Sequence, residues 1–169
     1  MNISALFNLS YGMYIVSAKD GLRDVGCIAN SIIQVSSDPA TLAISLNKNN
    51  YTHSCIQRSN WFAVSVLTEN ISRNVIAVFG FSSGRSRDKF SDIDHITSPS
   101  GFAIPNDGVC AYIEGRVISQ ADCATHTIFI AEILNAENLS DEHPMTYEYY
   151  HKVIKGKTSK NAPTYIGAT

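Results

Sequence analysis

The sequence predicts an all-β domain, a closed or partly closed antiparallel barrel that carries a few short helices. Three observations lead there: six or more short runs of strand-forming residues, turn residues between them, and helical runs too few to alternate with the strands. The 169 residues suit one domain, 1–169, long enough to build a core without a disulfide or a metal.

Residues 13–18 (MYIVSA) read as the first strand, which stops at the turn dipeptide Asp20-Gly21. Residues 25–35 (VGCIANSIIQV) form its hairpin partner. The run Ser36-Ser37-Asp38-Pro39 ends that strand, because proline lacks the N–H that a mid-sheet residue donates. Residues 41–46 (TLAISL) are a third strand, with Leu42, Ile44 and Leu46 on one face. Thr52 is placed to cap a short helix over 53–59, and 61–67 (WFAVSVL) returns to strand. Ser72 caps a second helix, 73–79, that Gly80 ends, and 86–90 adds a helical turn. Residues 91–108, with Pro99, Gly101, Pro105 and Gly108, read as irregular. Residues 109–118 and 126–136 pair antiparallel, with Ile128 and Ile130 inside and Ile133 joining them after a register break. Residues 139–150 lead into a lysine-rich segment, 151–169.

Charged residues make up 17% of the chain, below the ~25% usual for soluble domains. Either a partner subunit covers some surface, or the chain is a weakly charged monomer. A net charge of −2 argues against non-specific nucleic-acid binding, which needs a dominant positive field. Cys27, Cys55, Cys110 and Cys123 show no CxxC pair and no histidine series completes them, so a metal site is not expected. Scattered thiols suit a reducing cytoplasm. No basic, apolar leader opens the chain and no apolar run approaches 18 residues, so no membrane contact is expected.

Two places can carry chemistry. Ala29-Asn30-Ser31 interrupts an apolar strand with polar side chains, which must find partners, border a cavity or face water. Asn47-Lys48-Asn49-Asn50-Tyr51-Thr52 precedes a helix start, where free N–H groups and a lysine make either an anion site or an ordinary capped surface helix. Lys152, Lys155, Lys157 and Lys160, with no acid among them, either attract a phosphate or form a solvated tail. There is no HExxH, P-loop or GxGxxG.

The stretch GCIANSIIQVSSDPATLAISLNKNNYTHSCIQRSNWFAVSVL resembles the flavin reductase-like, FMN-binding split-barrel family, most nearly its flavoredoxins and the flavin domain of high-molecular-weight rubredoxins. FGFSSGRSRDKF, HTIFIAEILNAE and YYHKVIKGKTSKNAPTY continue the likeness in order. The resemblance implies a six-stranded Greek-key split barrel that works as a homodimer with one FMN per subunit. It places Ala29, Asn30, Ser31 and Ile32 beside the isoalloxazine ring. It places Asn47, Lys48, Tyr51 and Thr52 at the ribityl phosphate, with Tyr150, Lys155, Lys157 and Lys160 approaching from the C-terminal segment. His126 stands where relatives often read Gly-Asp-His but this chain reads Ala-Thr-His. It is a catalytic candidate near the ring or a structural histidine. The implied function is an FMN-dependent oxidoreductase that takes hydride from NAD(P)H and passes electrons to free flavin or a protein acceptor. Two alternatives are an electron carrier with little NAD(P)H activity and an FMN-binding protein without turnover. A rubredoxin-like iron centre would have to reside on a separate molecule, because this chain has no paired CxxC motifs.

Overall fold

A computed structural model describes residues 2–165, and the last four residues of the predicted 151–169 segment lie outside the described residues. The fold is mostly β-sheet with short helices. After a short 3-10 helix (Ile3–Asn8), β1 (Tyr14–Asp20) and β2 (Arg23–Ala29) form a hairpin. Gly21 turns it with a φ of 62°, a left-handed conformation that a residue without Cβ adopts freely. β3 (Ile32–Ser37) and β4 (Ala40–Asn47) form a second hairpin around a cis Asp38–Pro39 bond. Then follow α1 (Tyr51–Ser59), β5 (Trp61–Leu67), α2 (Arg73–Phe81), the small strands β6 (His95–Thr97) and β7 (Ala103–Pro105), the long hairpin β8 (Val109–Cys123) and β9 (His126–Asn138), and α3 (Tyr147–Lys152).

Seven strands make one sheet in the order β2-β1-β5-β8-β9-β4-β3, and β6 pairs only with β7. Six strands were expected. The difference arises because the predicted strand over 25–35 is two strands, with Asn30 and Ser31 between them. β2 pairs with β1 and β3 with β4, at opposite edges of the sheet, so the chain crosses from edge to edge within two residues. Local propensity is continuous there; the pairing partners impose the break.

β1 and β5 are buried on both faces. Val16, Phe62 and Val64 pack inward with Leu42, Ile44, Phe129 and the α1 residues Cys55 and Ile56. Ile15, Ala63 and Leu67 pack the other way, against Phe79 of α2, Ile104 of β7 and Tyr112. Each such fully buried large side chain contributes about 1.5–3 kcal/mol of transfer free energy. On β9 the inward residues are Thr127, Phe129 and Ala131, so Ile128 and Ile130 take the opposite, half-exposed face. Alternation fixes a period and not a phase; the phase is set by Phe129 lying opposite Ile44 of β4. Ile133 reaches the inner cluster by plain alternation, and the irregularity falls at Leu134 instead.

Asn50, not Thr52, is the N-cap of α1, and it makes no side-chain cap bond; Thr52 lies buried in the first turn. Ser72 caps α2 as expected, accepting from the Asn74 N–H at 3.2 Å, but the helix runs through Gly80 to Phe81. Residues 86–90 are turns and bends, not helix, and 91–108 contain the β6–β7 pair. That pair is tied to the sheet by Glu114 of β8. Its fully buried carboxylate accepts from Ser98 Oγ, from the Ser100 N–H (3.0 Å) and from Ser100 Oγ (3.0 Å). Among the described residues no helix is long and apolar enough to cross a membrane.

Candidate functional site

A cavity of about 470 Å³ opens where the ends of β2 and β4 meet the starts and ends of the helices. That size falls within the ~300–1,000 Å³ typical of small-molecule sites. Cys27, Ala29, Leu46 and Phe79 give it an apolar floor. One rim is the turn from β4 into α1, Asn47, Asn50, Tyr51 and Thr52; Ser82-Ser83-Gly84, just past α2, adjoins it, with Gly84 beside the Tyr51 ring. Residues 157–163 and Tyr165 make the remaining wall, with Tyr147 and Tyr150 of α3 behind them.

The rim at α1 presents free N–H groups to the cavity. Asn50 leaves the first-turn N–H groups without a side-chain cap, and the helix directs its positive end to the same place. Asn47 shapes the turn, accepting from the Asn49 N–H through Oδ1 and from the Asn50 N–H through its carbonyl, each at 2.9 Å. Lys89, Lys157 and Lys160 line the cavity, and no Asp or Glu does so among the described residues.

The predicted residues divide between this cavity and its surroundings. Ala29, Asn30, Asn47, Tyr51, Thr52, Tyr150, Lys157 and Lys160 line it together. Ser31 and Ile32 lie just beyond: the Ser31 carbonyl accepts from the Ser45 N–H at 3.0 Å, and Ile32 packs on the inner core. Lys48 points elsewhere, its ammonium 3.4 Å from Asp122. Asp122 also accepts from Thr127 Oγ1, which in turn pairs with Nε2 of the buried His53, both at 2.9 Å. Lys155 borders an adjoining notch.

His126 does not line the cavity either. Its Nε2 lies 3.3 Å from the carbonyl of Asn161, which can only accept, so Nε2 carries the hydrogen and Nδ1 faces Thr125 Oγ1 at 2.9 Å. Burial holds its pKa below the ordinary histidine value, with the Asn161 carbonyl opposing. His126 thus supports a wall residue. The wall has further ties: Asn161 Nδ2 to Asn50 Oδ1 (2.8 Å), Asn30 Nδ2 to Thr164 Oγ1 (3.0 Å), Thr164 Oγ1 to Tyr147 OH (2.9 Å) and Tyr150 OH to the Lys157 carbonyl (3.0 Å).

Sequence reasoning assigned no role to Lys89 or to Ser82-Ser83-Gly84. Lys89 is 2% exposed, and its ammonium donates to the carbonyls of Gly26 (2.8 Å) and Phe79 (3.2 Å), bracing β2 against α2 under the cavity. Burial holds its pKa below the usual lysine value. The available signal was a lysine next to a buried aromatic, Phe90, a few residues after two serines and a glycine that close a helix.

The sequence profile of the flavin reductase like domain matches residues 6–157. The chain belongs to that family. Within it, the high molecular weight rubredoxin of Moorella thermoacetica is 44% identical over 165 residues, covering 98% of this chain and 72% of that protein. The ferric-chelate reductase (NAD(P)H) of Archaeoglobus fulgidus is 37% identical over 166 residues, covering 98% of both. Among solved structures, the NADH:FAD oxidoreductase SgcE6 of Streptomyces globisporus superposes with a TM-score of 0.76 at 24% identity, over 84% of this chain and 83% of that one. Flavoredoxin from Methanosarcina acetivorans superposes with a TM-score of 0.69 at 18% identity, over 80% and 74%. This flavin reductase-like protein therefore has an FMN-binding fold related to flavoredoxin and to the flavin domain of high molecular weight rubredoxin.

The cavity fits that cofactor chemically. The apolar floor suits a tricyclic ring. Uncapped helix N–H groups, two serine hydroxyls and lysines without competing carboxylates suit a phosphate tail.

Proposed function

We propose that the protein is an FMN-dependent oxidoreductase that accepts hydride from NAD(P)H and delivers electrons to free flavin or to a protein acceptor. The observation that carries this reading is that Ala29-Asn30, the start of α1 and the lysine-bearing 157–163 wall border one cavity of flavin dimensions. Asn47, Tyr51, Thr52, Ser82 and Ser83 would hold the phosphate, and the backbone of Ala29 and Asn30 would border the ring. When bound, FMN would supply two-electron redox chemistry between a nicotinamide and an acceptor. This chain's own part is positional: Lys89 keeps β2 and α2 in register, the 157–163 wall limits water, and the lysines favour negative charge. The name of the Archaeoglobus relative, of which the chain covers 98%, supports a nicotinamide donor.

The Moorella relative supports a second reading, an electron carrier served by a protein donor and a rubredoxin-like acceptor. Anaerobic stopped-flow mixing separates the two. Rapid bleaching of bound FMN by NADH or NADPH is the expected result. A protein that stays colourless with added FMN defeats both readings, and bleaching by a protein donor alone leaves only the carrier.

The reading also takes 1–169 as one domain in which Asn30-Ser31 closes a split barrel, working as a homodimer. Ile33, Val35, Ile118 and Leu134 of β3, β8 and β9 are exposed, an apolar surface that a second subunit would cover. Cys27, Cys55, Cys110 and Cys123 are free thiols, which supports a reducing, cytoplasmic setting.

A further inference from the structure

We propose that a notch beside α2, adjoining the flavin cavity, seats a phosphate group of the dinucleotide donor. The proposal rests on the reading above, in which FMN occupies the larger cavity and a nicotinamide dinucleotide reduces it.

The notch measures about 160 Å³ and shares Ile76, Phe81 and Tyr150 with the larger cavity. Its distinguishing walls are Arg73, in the first turn of α2, and Lys155, just past α3. Neither cation has an ion-pair partner among the described residues, and no carboxylate lines the notch. Most other basic side chains near the sheet are already committed; Arg23 and Arg58, for example, both pair with Asp20.

Lys155 is fixed by its backbone. Its φ of 60° is left-handed, a conformation uncommon for a residue with a Cβ. The following Gly156 donates its N–H to the Tyr150 carbonyl at 3.0 Å, and a Cβ on it would lie 2.0 Å from the Tyr150 ring. The turn is therefore held on Tyr150, which keeps the backbone of the exposed Lys155 beside the notch.

A flavin filling much of the 470 Å³ cavity leaves little room for a second nucleotide. Only the nicotinamide end of the donor must reach the flavin; the remainder needs a neighbouring surface. The notch offers a guanidinium fork and an ammonium for phosphate oxygens, beside the exposed aromatic face of Phe81, 55% accessible, for a base.

The double variant Arg73→Gln/Lys155→Asn tests this. Asparagine tolerates the left-handed backbone at 155, so the turn is retained. Calorimetry follows binding of adenosine 2′,5′-bisphosphate and of ADP to the FMN-loaded protein, alongside KM for NADPH and NADH. The variant is expected to lose roughly tenfold in affinity for at least one nucleotide, with KM for the matching dinucleotide rising in proportion and FMN affinity changing less than about twofold. A loss confined to the bisphosphate and NADPH identifies the 2′-phosphate; a loss with both pairs identifies the pyrophosphate. Unchanged affinity for both nucleotides, or no binding of either to the unmodified protein, overturns the proposal. A protein that takes up no FMN overturns the functional reading instead, and calorimetry on the flavin-free protein then decides the notch by itself.

Discussion

The side-chain amide of Asn30 donates to Thr164 Oγ1 at 3.0 Å, joining the break between β2 and β3 to a residue 134 positions further along the chain. Thr164 Oγ1 passes its own hydrogen to Tyr147 OH at 2.9 Å, so Asn30 anchors the C-terminal wall to α3 as well as to the sheet. Asn30→Ala removes a buried donor and leaves Thr164 without it, at a cost of about 1 kcal/mol. Urea unfolding should show that loss, and limited proteolysis should release the C-terminal segment sooner.

Lys89→Met keeps the apolar stem and deletes the ammonium that caps the carbonyls of Gly26 and Phe79. Leaving those acceptors unpaired should destabilise the fold by about 1–3 kcal/mol. FMN affinity should fall with it, because Gly26 and Phe79 both line the cavity. Chemical denaturation and fluorescence titration with FMN check the two effects.

Lys48→Ala makes the opposite forecast. Its ammonium pairs with the exposed Asp122 outside the cavity, an interaction of about 0–1 kcal/mol. FMN affinity should stay within about twofold of the parent, whereas Lys157→Ala/Lys160→Ala should weaken it several-fold through lost charge-assisted contacts. A titration in which Lys48→Ala is the more damaging variant would refute this arrangement.

Glu114→Gln places an amide where a buried carboxylate accepts from Ser98 Oγ and from the N–H and hydroxyl of Ser100. Substituting a donor for one acceptor oxygen should destabilise the protein by about 1–3 kcal/mol. Hydrogen exchange should show the loss concentrated in β6 and β7.

Acid should weaken the fold through its histidines. Burial lowers the pKa of His53, where the Lys48 charge adds to the effect, and of His126 and His151, where carbonyls of Asn161 and Gly156 oppose it. Below the ordinary histidine value, about 6.5, the unfolded chain therefore binds more protons than the folded one. Stability then declines as pH falls from that value through the folded pKa values, and it is unaffected by these groups above it. Urea midpoints measured from pH 7.5 down to 5 check the slope, and His53→Gln should flatten part of it.

Strand content was legible because β1, β4, β5, β8 and β9 carry strong local patterns, such as WFAVSVL at β5. The break at Asn30-Ser31 was not, since its cause is the pairing of β2 and β3 with strands at opposite sheet edges. The polar turn at Asn47–Thr52 on the cavity rim was visible from a polar run before a helix start, although the direction of Lys48 was not: Asp122, 74 residues away, decides it. Lys89 escaped notice for the same reason, as its partners Gly26 and Phe79 are local to neither its turn nor each other.

The wall over 157–165 is stitched to the body by side-chain bonds at Asn30, Asn50, His126, Tyr147 and Tyr150 rather than by a strand ladder. Such stitching opens by local fraying at a fraction of the global unfolding free energy. The residence time of a molecule seated against that wall therefore depends on how often the 157–165 segment peels away as well as on how well the floor grips it.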